Sequence, residues 1–203
     1  MKRSHWFLPE TPDVIGKLRR QVTATVAGME AFAAWANGDE GAADRLREAR
    51  RGSEAARREL LDALRAAFVT PLEPEDAFTL SRGVDRIVGH ALDLVGEAEV
   101  MASPPDPGVG QMADLLAQAV RQIDEAIAHL GSDSDAATAA ADAALDTERV
   151  VAKAYYQGMA ALLEVDDMRE RISRRELYRR CARIGEGVVD VAERVQYAIV
   201  KQL

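Results

Sequence analysis

The residues best placed to do chemistry are acids set four apart. Asp85-x3-Gly89-x3-Asp93 and Ala182-x3-Glu186-x3-Asp190 fall on one another when their two stretches are aligned. Side chains at that interval leave one face of a helix, so each set forms an acidic edge beside an apolar stripe. Glu148 is a different case. It falls in the stripe with Leu145, Val151 and Tyr155, where an ionised acid is costly unless paired. Either an interhelical salt bridge or a ligand role answers that cost.

The other reactive residue types are scattered. His5, His90 and His129 show neither the His-x3-His nor the Glu-x-x-His spacing of a zinc or di-iron helix pair. His90 follows Gly89 directly, which leaves it an imidazole ligand beside the acids or an ordinary surface residue. Cys181 sits on an apolar heptad, where a thiol acts as a small hydrophobe. The sequence has no Gly-rich phosphate loop, no Gly-x-Ser-x-Gly and no dinucleotide fingerprint. Without two Glu-x-x-His motifs a ferritin-type carboxylate bundle is not expected either, and no enzymatic activity is expected.

The elements that must position these residues are long helices. A helix is expected from Thr11-Pro12 to Asn37-Gly38, with Ile15, Leu18, Val22, Thr25, Met29, Phe32 and Ala36 as its stripe. A second, capped by Asp39, runs to about Phe68 on the narrow seam of Leu46, Ala49, Ser53, Ala56, Leu60, Ala63 and Ala67. Pro71 and Pro74 then break the pattern, and Pro74-Glu75-Asp76 opens a third helix that ends before residue 103. Residues 103–108, Ser-Pro-Pro-Asp-Pro-Gly, form the clearest linker and divide the chain into halves 1–102 and 109–203. The second half repeats the plan. Its helices carry Met112 to Leu130, Asp135 to Val165, and the heptad Leu177, Cys181, Ile184, Val188, Val191, Val195 and Ile199. Short breaks between six elements favour an antiparallel bundle over a coiled-coil rod.

Composition agrees with that fold and limits the function. Hydrophobic residues make up 48% of the 203 and aromatic ones only 5%, too few for a sheet protein. A net charge of -8 and a pI near 5.0 exclude the basic footprint that nucleic acid requires. The locally basic stretch from Arg169 to Arg183 interleaves Glu170 and Glu176, as a solvated helix face does. One cysteine permits no internal disulfide, which suits a reducing cytoplasm. The N-terminal Ser4 to Pro9 is too short for a signal sequence, and no run is long enough for membrane insertion.

Three strings then point to a family: Phe7-Leu8-Pro9, Phe68-Val69-Thr70-Pro71-Leu72-Glu73-Pro74-Glu75-Asp76 with Leu80 and Asp85, and Glu176-Leu177-Tyr178 through Val200-Lys201. In these, and over nearly its whole length, the chain resembles the PhoU-like accessory proteins of Pit-type inorganic phosphate transporters, also called domain-of-unknown-function 47. The resemblance implies an all-α fold of two pseudo-repeated antiparallel three-helix bundles, often oligomeric. It also implies a regulatory partner of a Pit transporter at its cytoplasmic face. An acid-x3-Asp motif on the long helices of that family holds iron, zinc or other divalent cations, magnesium and calcium among the candidates here.

Laid on that motif, the four long helices offer Arg50 with Glu54, Asp85 with Gly89, Ala144 with Glu148, and Ala182 with Glu186. Every copy has lost one acid. A multinuclear cluster is therefore not expected. Weak divalent-cation binding near Glu54, Asp85, Glu148 and Glu186, with Asp93 and Asp190 one turn on, is the expectation. The competing functional class is a helical scaffold or oligomeric partner-binding protein unrelated to phosphate.

Overall fold

Four helix starts are written in aspartate. The carboxylates of Asp13, Asp106, Asp133 and Asp167 accept from the backbone N–H of Gly16, Val109, Ala136 and Glu170. Each satisfies an amide that the helix itself leaves unpaired and sets negative charge at the positive end of the dipole. The computed structural model describes residues 13–67, 70 and 72–201. Six helices follow: α1 Val14–Ala36, α2 Ala42–Ala66, α3 Pro74–Met101, α4 Pro107–His129, α5 Ser134–Ala161 and α6 Met168–Val200. A 3-10 turn, Leu162–Glu164, joins the last two, and no strand occurs among the described residues.

The expected all-α plan is present, with local corrections. The Thr11-Pro12 start signal lies outside the described residues, and Asp13 caps α1. Asp39 does not cap α2. It belongs to the preceding turn, where it accepts from the Gly41 N–H at 3.0 Å and pairs with Arg45 at 2.7 Å, leaving Gly41 at the cap. α4 starts at Pro107, inside the expected linker, because Asp106 caps it and a proline suits the first helical position. α3 begins on Pro74 as expected and closes on Ala102 in the left-handed conformation, φ 49°.

Contacts fix how the helices run. Gly28 of α1 lies against Leu46 and Ala49 of α2 while Arg20 reaches Glu59, so that pair is antiparallel. Gln21 bonds Ser81, and Gly28 also meets Val88, so α1 and α3 are parallel. The first three helices pack on one another, as do the last three. α1 then joins α4 through Glu30 to Arg121 at 3.0 Å and Asn37 to Asp114 at 3.1 Å. α3 crosses α6 closely: a Cβ on Gly83 would lie 2.5 Å from Val191, and one on Gly187 would lie 3.2 Å from Ile87. Larger residues there would push the helices apart.

One core runs through both trios, from Leu18, Val22, Met29 and Phe32 through Leu80, Ile87 and Leu94 to Met112, Leu116 and Ile123. All seven residues of the α6 heptad are buried. α2 contributes least: Leu46 and Leu60 are the large side chains it buries, with Ala42, Ala43, Ser53 and Ala63 beside them. It packs mainly on α1, and its arginines make the polar contacts across to α3.

Candidate functional site

The acid motifs of the two halves lie on the facing long helices, α2 with α3 and α5 with α6. In the first pair the acids meet arginines. Arg50 of α2 places its guanidinium on the Asp85 carboxylate of α3, donates to the Asp85 carbonyl at 3.1 Å and lies 3.1 Å from Glu54. Arg57 approaches the other Asp85 oxygen at 3.5 Å. The Asp85 side chain is 14% exposed and Arg50 20%. One turn along, Arg47 bonds both oxygens of Glu99 at 2.7 and 2.8 Å. Three arginines of α2 thus reach acids of α3. Gly89 faces this cluster: a Cβ there would stand in ordinary contact with the Arg50 guanidinium, at 3.9 Å.

The second pair is built the other way. Ala144 and Ala182 occupy the positions of Arg50 and Asp85, and an open groove of about 480 Å³ lies between α5 and α6. Glu148, Glu186, Tyr155, Tyr156, Arg179 and Arg183 help to line it. Among the described residues no arginine or lysine stands within salt-bridge distance of Glu148 or Glu186. Glu148 folds against Gly185, and burial followed by the charge of Glu186 pushes its carboxyl above the usual range, with Arg149 opposing. Arg180, at the edge of the groove, is turned to Glu97 and Glu176.

The remaining candidates stand apart from these pairs. Asp93 is exposed with His90 Nδ1 at 3.9 Å, and Asp190 is exposed with Arg86 at 3.9 Å. Burial, then the charges of Arg183 and Arg86, hold the His90 imidazole below its ordinary range. Among the described residues no three His, Cys, Asp or Glu side chains converge as a metal set would. The donors do not fit a multinuclear metal cluster: both Asp85 oxygens face guanidinium groups, and two of the four motif positions in the second half are alanine. Cys181 is fully buried and its thiol is pushed up by that burial, so it is no nucleophile. His5 lies outside the described residues.

Sequence reasoning missed two clusters. Arg57, seven residues after Arg50, shares its face, and that interval was the available signal. Tyr178 was hidden because its partner is remote: its hydroxyl donates to the capping aspartate Asp106 at 2.6 Å, with Arg174 at 3.5 Å from the same oxygen. Gly108 and Gly158 make room for the ring. Burial and the Asp106 carboxylate raise the phenol well above its ordinary range, so it stays a donor and ties the linker between the halves to α6.

A crystal structure of a PhoU-like protein from Shewanella oneidensis MR-1 superposes with TM-score 0.79 at 14% identity, covering 93% of this chain and 100% of that one. A candidate PhoU-like phosphate regulatory protein of the same organism gives TM-score 0.68, again at 14% identity with coverage of 93% and 100%. No protein-family model and no curated protein matches the chain. The class is therefore defined by architecture: six helices in the PhoU-like fold.

Proposed function

We propose that this chain is a non-enzymatic, cytoplasmic regulator of inorganic phosphate transport that docks on the cytoplasmic face of a Pit-type transporter. The observation that carries the reading is the shared fold, which spans nearly the whole chain and all of a protein described as a phosphate regulator. No described helix is long and apolar enough to cross a membrane, so the work falls to surfaces. An acidic chain suits the Lys- and Arg-rich loops that membrane proteins keep on the cytoplasmic side. The end of the bundle at the α5–α6 turn exposes Leu163, Met168 and Ile172, large apolar side chains suited to a protein contact. That patch equally serves the second reading, a helical scaffold unrelated to phosphate, and it also serves assembly into a homo-oligomer. Any divalent cation, whether iron, zinc, magnesium or calcium, would be weakly held and belongs near Glu148 and Glu186, two carboxylates that line one groove with no salt-bridge partner among the described residues.

The test is deletion of the gene with measurement of phosphate uptake and intracellular phosphate, together with capture of the transporter on the tagged protein. Altered uptake with transporter captured is the expected result. Unchanged uptake and no transporter would leave the scaffold reading standing.

A further inference from the structure

The metal that the PhoU-like resemblance implies and the donors found between α2 and α3 disagree, and the disagreement has a definite form. A cation is present at that site already, and it is part of the chain. We propose that Arg50 is a resident cation: its guanidinium, backed by Arg57, neutralises Asp85 and joins α2 to α3 in place of a metal ion.

Three observations converge on this. The guanidinium sits between Asp85 on α3 and Glu54 on its own helix, and donates to the Asp85 backbone as well. A planar guanidinium with five donors in a fixed fork can satisfy a carboxylate and a carbonyl together. Gly89 occupies the motif position where a second acid would stand, and a Cβ there would lie in ordinary contact, 3.9 Å, with the Arg50 guanidinium. Loss of the acid and gain of the arginine are thus one spatial arrangement. Finally, α2 buries few large apolar residues, so a cation linking it to α3 has a structural task to perform. α5 also buries few large side chains, Val151 with five alanines, yet it packs along α6 more extensively than α2 does along α3, and no ion pair joins that pair among the described residues. The inference concerns the chain itself and is independent of which partner the protein serves.

Thermal unfolding of the full chain, followed by circular dichroism with EDTA and then with zinc or ferrous iron, tests it. The wild-type midpoint should not move with chelator, and any metal-induced rise should persist in Asp85→Ala, because it would come from the second half. Arg50→Ala should lower the midpoint by about 4–8 °C. Should that variant fail to fold, the paired substitution R50E with G89D remains informative, since it sets acids at four positions around the site. It should gain a zinc-dependent rise of several degrees that the wild type lacks, and calorimetry should find one added site. A wild-type metal response that vanishes in Asp85→Ala overturns the proposal. A paired variant with no metal response overturns it too, since the position would then not be one for a cation.

Discussion

Between α2 and α3 an arginine fills the space beside the acids, whereas between α5 and α6 the matching positions are alanines and the space is open. The same repeat has thus met one electrostatic demand in two ways. In the first half the carboxylate is neutralised from within, and polar contacts replace a thin apolar seam. In the second half apolar packing holds the helices, and two glutamates are left to repel each other at the surface of a groove. The contrast shows that a repeated acid does not carry a repeated role: what the facing helix sets beside it decides whether it is a strut or a free charge.

Removing the acid from each half should separate these roles most sharply. Asp85→Ala leaves Arg50 and Arg57 without their shared carboxylate and should cost about 2 kcal/mol, allowing for the residual exposure of the group. At this chain length that is a fall of about 4–8 °C in Tm. Glu148→Ala should cost none of this. Equal losses in calorimetry would erase the distinction between the halves.

A second contrast lies in the buried polar anchors. With Asp85 aligned on Ala182, Ser81 falls on Tyr178. Ser81 donates to Gln21 at 2.6 Å, while Tyr178 donates at 2.6 Å to the carboxylate of Asp106. Tyr178→Phe should lose about 1.5–2 kcal/mol because its acceptor is charged, and Ser81→Ala about 1 kcal/mol. Urea unfolding measures both, and the reverse order would show that the linker anchor matters less than the core one.

Smaller effects should appear in the pH dependence. Because the folded Glu148 carboxyl titrates above its unfolded value near 4.5, its favourable contribution is complete below that pH. The contribution is lost as pH rises through the folded pKa. Glu148→Gln should therefore flatten that decline and raise stability at pH 7.5 by less than about 1 kcal/mol, given its partial exposure. His90 has the opposite slope. Its folded pKa lies below the unfolded value near 6.5, so its contribution is present above that pH and lost as pH falls through the folded pKa. His90→Gln should remove that acid-side loss in unfolding curves between pH 7.5 and 5.5, and a slope left unchanged would mean that His90 is not held neutral.

The helical count, the α6 heptad and the break at Pro74 were legible in the sequence because each depends on residues within a few turns of one another. Leu177, Cys181, Ile184, Val188, Val191, Val195 and Ile199 are all buried as their spacing required. Caps were read less well. Asp39 and Asp13 are equally good candidates by type, and only the turn geometry decides which carboxylate meets an orphaned amide. The candidate site divides along the same line. Spacing put Asp85, Glu148 and Glu186 on helix faces, and the family resemblance set Arg50 at a position where its motif carries an acid. Neither could say that Arg50 and Arg57 would both cross to Asp85, or that Tyr178 would find Asp106 across 72 residues. Local pattern is set by the 3.6-residue repeat, which the chain carries in its own order. Which charges meet is set by how the helices pack and in what register, and that follows from burying one shared core, a property of all six helices together.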